Sequence, residues 1–383
     1  MKPKNEKQPK TWRKVKLGEV LELKYGFGLP ETKRKTGRVP VFGSSGIVGA
    51  HNEAAVQSQG IVIGRKGHVG SIHYSNVPFY PIDTVYYVDQ LKIPGDIKFF
   101  YYFLKRMPFQ QIGSDVGVPG LNRDIAYSLE VKIPEDPNIQ KRIADVLSAF
   151  DDKIELNNKI NQTLEQMAQA IFKEWFSAKE GKFPKGWRVS KIDDLIKIIS
   201  GHPFSSKLYT INKKALGVVT IRNVQDGNFI TNCDSFIDKK NIPENMSPEC
   251  LIHDGDILLS LTGNVGRVCF VYGGEYLLNQ RVAKLQPKEI KDFAFCYFLF
   301  RQKKMQNYLI NMAKGSAQPN LSPVETGKIS LLIPPREILD NFYNLVGSMY
   351  KQLVKNAEEN QKLASLRDLL LPKLMSGKIL VKS

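Results

Sequence analysis

The chain has 383 residues, 42% of them hydrophobic and 24% charged, which is enough apolar material for a core and points to about two domains. No apolar run reaches the ~18 residues of a membrane span, and the first ten residues are lysine-rich with no apolar stretch, so neither a membrane protein nor a secreted one is expected, and the cytoplasm is. A net charge of +17, from 55 Lys+Arg against 38 Asp+Glu, points to a polyanion, of which nucleic acid is the usual one, with a merely solvated surface as the plain alternative.

In chain order, the sequence writes its elements twice. Trp12-Arg13 returns as Trp187-Arg188, 175 positions on. Behind each pair runs a similar segment, Lys16 to Leu21 and Lys191 to Ile196, closing on Gly26 and Gly201. Ile61-Val62-Ile63 leads to Gly67-His68-Val69-Gly70, as Ile257-Leu258-Leu259 leads to Gly263-Asn264-Val265-Gly266. Both read as a buried strand and a tight turn. Tyr102-Phe103-Leu104 is answered by Tyr297-Phe298-Leu299. Without interleaved basic residues, these aromatics read as core helices rather than base-stacking platforms. Pro119-Gly120-Leu121 and Ile133-Pro134 recur as Pro319-Asn320-Leu321 and Ile333-Pro334.

After each Ile-Pro the character changes. From about Ile139 to Ala178 there is neither proline nor glycine, and Ile143, Val146, Phe150, Ile154, Leu164, Met167 and Ile171 recur at steps of mixed length, with a polar gap near Asn157-Asn158. From about Glu337 to Leu371 the pattern returns with Phe342, Leu345, Met349, Leu353, Leu363, Leu366 and Leu370. Two amphipathic helices of ~40 residues, ~60 Å each, are expected to pair with each other at near-heptad spacing, with two separate helices packed on their own domains as the plain alternative. Ile143, Phe150, Ile154, Leu164, Phe342, Met349, Leu353 and Leu363 are the expected seam of the pair. The division is then 1–137, 138–180, 181–335 and 336–383, globular unit and helix in alternation. Such a chain resembles a dimer folded into one polypeptide, and dimeric DNA readers meet two half-sites ~34 Å apart.

The charge is uneven. The segments 138–180 and 336–376 carry −1 and +1, whereas 1–14 carries +5, 15–137 carries +2 and 181–335 carries +8. The second globular unit should therefore dominate nonspecific phosphate binding. Base reading needs polar side chains on loops that interrupt strands. In the first unit the candidates are Lys33, Arg34, Lys35, Arg38, Ser44, Ser45, Arg65, Lys66, His68, Asn122 and Arg123. In the second they are His202, Lys207, Arg222, Asn223, Thr262, Asn264, Arg267, Gln280, Arg281, Gln318, Asn320 and Ser322. Between the repeats His68 becomes Asn264, Arg65-Lys66 becomes Leu261-Thr262 and Asn122 becomes Ser322, while glycines and apolar residues persist. An asymmetric, bipartite target is expected rather than a palindrome.

The sequence offers no recognisable chemistry. Gly181-Lys182, Gly327-Lys328 and Gly377-Lys378 each lack the hydroxyl residue of a phosphate loop, and Pro334-Pro335 is followed by Arg336, not by the aromatic of an amine-methylating motif. Glu22-Leu23-Lys24 has a nuclease look, but its repeat partner Lys197-Ile198-Ile199 lacks it, so it reads as a strand edge. Cys233, Cys250, Cys269 and Cys296 form no C-x-x-C pair, and the five histidines show no metal spacing, so no metal site is expected.

These residues together carry a resemblance to the specificity subunits of type I restriction-modification enzymes, from Trp12 to Val381. The most telling pieces are Gly120 through Ile133-Pro134 into Ile139-Gln140-Lys141-Arg142-Ile143-Ala144, then Asp151 to Asn158, Gly315 to Ser322, and Leu370 to Gly377. One departure is Pro335-Arg336-Glu337-Ile338, which lacks the glutamine-lysine cluster that follows Ile139. The resemblance implies two tandem recognition domains of mixed α/β (α+β) fold, each followed by a long helix, the helices forming an antiparallel coiled coil that sets the spacing between half-sites. It implies double-stranded DNA, two methyltransferase subunits and, where present, two restriction subunits as partners. S-adenosylmethionine and ATP with Mg would sit on those partners, with no cofactor and no catalytic residue in this chain. A stand-alone DNA enzyme and an RNA-binding or structural adaptor are the competing readings.

Overall fold

The computed structural model describes residues 12–112, 120–176, 186–313 and 319–381. The lysine-rich start, Pro119, Gly181-Lys182 and Gly315 to Gln318 lie outside the described residues. The chain divides into two compact units: residues 1–152 with 363–383, and residues 153–362.

Unit 1 begins with β1 (Trp12–Lys16), α1 (Leu17–Val20), β2 (Lys24–Tyr25), β3 (Val39–Gly43) and β4 (Gly46–His51). It continues with β5 (Gly60–Gly64), β6 (Ile72–Ser75), β7 (Tyr80–Pro81), β8 (Val85–Val88), α2 (Ile97–Leu104), α3 (Arg123–Ser128), β9 (Glu130–Pro134) and α4 (Pro137–Phe176), whose residues from 153 on belong to unit 2. Unit 2 holds β10 (Arg188–Lys191), β11 (Ile196–Ser200), β12 (Leu216–Val219), β13 (Val224–Gln225), β14 (Asn228–Phe229) and β15 (Phe236–Ile237). After these come β16 (Leu251–Ile252), β17 (Ile257–Ser260), β18 (Val268–Phe270), β19 (Tyr276–Leu278), β20 (Val282–Pro287), α5 (Phe293–Arg301), α6 (Lys303–Ala313), α7 (Pro323–Gly327), β21 (Ser330–Ile333) and α8 (Arg336–Leu374), whose residues from 363 on belong to unit 1.

The repeat read from the sequence is a repeat of topology. A four-stranded sheet is ordered β2-β8-β5-β6 in unit 1 and β11-β20-β17-β18 in unit 2. A second sheet joins β3 to β7 in parallel, as β12 joins β19. The matched ends of each repeat are strand partners: Trp12 pairs with Pro134 and Arg13 with Ile133, while Arg188 pairs with Ile333. The matched glycines have the same cause. A Cβ on Gly26 would stand 2.0 Å from the carbonyl oxygen of Ile82, and one on Gly201 would stand 2.2 Å from that of Asn279. Gly67, Gly70, Gly263 and Gly266 all have positive φ, so the two tight turns need glycine in both copies.

The aromatic segments are core helices. Phe99, Phe100, Tyr102 and Phe103 of α2 share a buried core with Ile61, Ile63 and Val88 of unit 1's sheet. Phe295, Tyr297, Phe298 and Phe300 of α5 share one with Ile257, Leu259 and Leu285 of unit 2's sheet. Lys24 lies on edge strand β2 and its ammonium is tied to Asp89 at 2.7 Å, in keeping with a strand edge. All four cysteines are buried and unpaired, and no helix among the described residues is long and apolar enough to cross a membrane.

The two long helices pair antiparallel. Within unit 2, Asn157 donates to Glu359 at 2.8 Å and to Asn360 at 2.9 Å, and Asn356 donates to Asn161 at 2.8 Å. Residue numbers thus fall along α8 as they rise along α4. Within unit 1, Arg367 of α8 pairs with Asp151 of α4. The seam is less apolar than its spacing predicts. Ile143, Phe342 and Leu353 are buried, and Phe150, Ile154, Leu164, Met349 and Leu363 are half-buried. Met167, Leu345 and Leu366, however, are 48%, 44% and 49% exposed. The reason is that each helix also packs on the globular cores, α4 through Ala168 and Phe172 in unit 2 and Ala144 and Leu147 in unit 1, and α8 through Val346 in unit 2 and Leu374 in unit 1, which turns the buried stripe away from a strict two-helix seam.

Candidate nucleic-acid interface

In unit 2 the turn between β17 and β18, the turn between β19 and β20, and the segment before α7 meet. Leu261 N–H donates to the Arg281 carbonyl at 3.0 Å, Leu321 N–H donates to the Leu261 carbonyl at 2.8 Å, and Thr262 bridges to Asn320. A cleft of about 690 Å³ lies there, lined by Ile221, Thr262, Gly263, Gln280, Arg281 and Asn320. A second, of about 530 Å³, shares Gly263 and Pro319 with it and is lined by Asp226, Asn264, Arg267, Lys303 and Gln306. Six of the sequence candidates therefore converge: Thr262, Asn264, Arg267, Gln280, Arg281 and Asn320. The buried hydroxyl of Thr262 has no hydrogen-bond partner among the described residues, a polar group left open at the cleft.

Arg267 is held by the Gln225 side chain. Asp226 is held by Arg301 and by Gln306 at 2.7 Å, and Arg301 reaches Glu165 of α4 at 3.0 Å. Burial opposes the charge of Arg301, but the Tyr297 oxygen, Glu165 and Asp226 outweigh it and keep its pKa above the ordinary value. Lys303 and Gln306 on α6 were not among the sequence candidates. The basic pair Lys303-Lys304 at the start of a helix was their only signal, directly behind an aromatic core segment.

The remaining candidates of unit 2 lie apart from those clefts or are committed elsewhere. His202 stands beside them, its carbonyl accepting from Gln280 N–H at 3.2 Å. Lys207 is exposed on a short turn, and Arg222, 82% exposed, pairs with Asp234 at 2.9 Å. Asn223 is buried, accepting from Thr220 N–H at 2.9 Å and donating to the Ile230 carbonyl at 2.7 Å, so it organises the loop and cannot reach a base. Ser322 caps α7 by accepting from Glu325 N–H at 3.3 Å. Gln318 lies outside the described residues.

Unit 1 repeats the frame. Lys66 bridges to Gly120 as Thr262 does to Asn320, and Leu121 N–H donates to the Arg65 carbonyl at 2.9 Å. Ser44 joins the same turn: its hydroxyl accepts from His68 N–H at 3.4 Å and its carbonyl accepts from Ser71. Arg65, Lys66, His68 and Ser44 thus come together, with exposed Ser45 next in the chain, and Arg123 shares the Tyr25 ring with Arg65. Asn122 is a cap, its oxygen accepting from Asp124 N–H at 2.8 Å and Ile125 N–H at 3.2 Å. Half-buried Arg34 is bonded to the Val48 carbonyl at 2.8 Å, and Lys33, Lys35 and Arg38 are exposed. Tyr86 is buried under Arg65, and burial pushes its hydroxyl up to about 12.

The family model for the type I restriction modification DNA specificity domain matches residues 9–166 and again 184–357. The chain is 27% identical over 331 residues to the type I restriction enzyme HindI specificity subunit of Haemophilus influenzae, covering 68% of this chain and 71% of that one. It is 25% identical over 422 residues to the MjaIX specificity subunit of Methanocaldococcus jannaschii, covering 98% and 95%. Its fold is similar to that of the S subunit of a type I system from M. genitalium, with a TM-score of 0.64 over 97% of both chains at 17% identity. Two matches in tandem, on a frame that the structure repeats, place this chain in the type I restriction-modification DNA specificity family.

Proposed function

We propose that this chain supplies the address, and none of the chemistry, of a type I restriction-modification complex in the cytoplasm. Recognition domains at 1–137 and 181–335 each read one half of an asymmetric bipartite site on double-stranded DNA. The helices in 138–180 and 336–383 set the spacing and dock two methyltransferase subunits. Those subunits transfer a methyl group from S-adenosylmethionine to adenine N6, and restriction subunits, where present, use ATP to cleave the DNA. One observation carries this reading: the same strand order and the same loop bridge occur twice, while the polar side chains on those loops differ between the copies. The exposed Leu156, Met167, Leu345 and Leu366 on α4 and α8 suit a docked protein.

The test is a methylation map. The chain is co-expressed with its methyltransferase partner in a host free of adenine methylation, and the DNA is sequenced for N6-methyladenine. An asymmetric bipartite motif that disappears without this chain is the expected result. A symmetric motif, or methylation by the chain alone, would refute the reading. Arg267→Ala or Asn320→Ala is expected to relax only the half-site read by unit 2, by ~5- to 150-fold in discrimination.

A further inference from the structure

Four side chains of unit 1 form a group that unit 2 lacks. Tyr25 stands on edge strand β2, 50% exposed, its ring 5.0 Å from that of buried Tyr86 on β8. The guanidinium carbon of Arg65 lies 5.3 Å from the Tyr25 ring and 5.8 Å from the Tyr86 ring. That of Arg123, at the start of α3, lies 5.2 Å from the Tyr25 ring. Neither arginine has a carboxylate partner among the described residues. Arg65 donates to the Asp83 carbonyl at 2.7 Å, and the buried Nε of each arginine has no acceptor.

The fold does not require this group. Tyr25 precedes Gly26 as Ser200 precedes Gly201. Tyr86 pairs with Ile63 as Ala283 pairs with Leu259. The Arg65 carbonyl accepts from Leu121 as that of Leu261 accepts from Leu321, and Arg123 follows its cap as Pro323 follows Ser322. Unit 2 thus builds the same frame with Ser200, Leu261, Ala283 and Pro323. Nor is the group needed for bulk charge, because Lys33, Lys35 and Lys66 are at hand for phosphates. A guanidinium held over a ring leaves N–H groups of its fork available and loses little freedom on binding, which suits bidentate recognition.

We propose that Arg65 and Arg123, held against Tyr25, are the base-reading centre of unit 1 and each take the O6/N7 edge of a guanine in the major groove. The proposal rests on the reading that unit 1 addresses one half-site, and deepens it.

The test is selection from duplex DNA randomised across both half-sites, by the complex of this chain with its methyltransferase partner, at two salt concentrations. Arg267→Ala identifies the second half-site by relaxing it. In the other half, Arg65→Lys and Arg123→Lys, which keep charge and stem but lose the fork, are expected each to lower the preference for guanine at one position by ~5- to 150-fold. Tyr25→Ser, the residue at the matching position of unit 2, is expected to weaken both positions. Melting of each variant checks that it is folded, and the two lysine variants test the proposal independently. Uniform weakening across sequences, with the salt slope reduced by about one, would make these residues phosphate contacts and overturn the proposal. So would a first half-site without guanine. If the wild-type complex selects no bipartite motif at all, the reading beneath the proposal fails instead.

Discussion

Asn122 and Ser322 occupy the same place in the two repeats, and each accepts hydrogen bonds from backbone N–H groups of the helix behind it. The exchange of one for the other is therefore an exchange of one helix cap for another. Asn223 is likewise committed inward. Asn223→Ala is expected to cost about 1–3 kcal/mol, because the Thr220 amide and the Ile230 carbonyl lose their partner in a buried loop; urea denaturation measures it. The cysteines are inward-facing too. Burial raises the pKa of each, that of Cys233 to about 11. The native protein is expected to leave all four thiols unreacted with a thiol reagent at about pH 8 and to expose them on unfolding; fast labelling of the native state would contradict this. Residue type on a loop shows which groups could bind, but not whether a neighbouring backbone has already taken them.

At the scale of elements, the helix pair joins apolar ends to a polar middle. Buried Asn157 and Asn356 hydrogen-bond across it to half-buried Asn360 and Asn161, and such buried amides specify register at some expense in stability. Replacing Asn157 and Asn360 together by Leu is expected to raise the melting temperature while loosening the register; a lower melting temperature would count against this account. Glu359 adds a pH dependence. The Asn157 amide, chiefly, and then Lys153 hold its carboxyl below the ordinary value of 4.5. Its contribution is therefore present above about pH 4.5 and lost as the pH falls through the lowered value. Asn157→Ala should return Glu359 towards 4.5 in a carboxyl NMR titration. The polar gap near Asn157-Asn158 was legible in the sequence. Its pairing was not, since partners about 200 positions apart leave no mark in a local period.

For the molecule as a whole, the repeat carries most of what could be read in advance. Trp-Arg and Ile-Pro pairs, matched glycines and the two G-x-V-G turns survive in both copies because strand pairing, close backbone approach and positive φ tolerate few alternatives. The loop candidates were legible as polar residue types on turns, and six of them in unit 2 converge on the two clefts. With a net charge of +17, DNA affinity is expected to fall steeply with salt, and a slope near zero in a binding titration would contradict the polyanion reading.

The sequence by itself determined the twofold repeat, the long helices and the turns, because these depend on periodicity and on local backbone sterics. Only the tertiary structure decided which polar groups are free. It closed Asn122, Ser322 and Asn223 onto their own loops, brought Lys303 and Gln306 to the cleft, and set Arg65 and Arg123 against Tyr25. Those outcomes depend on contacts between segments far apart in the chain, where a side chain's partner is fixed by how sheets and helices pack and not by its neighbours in sequence.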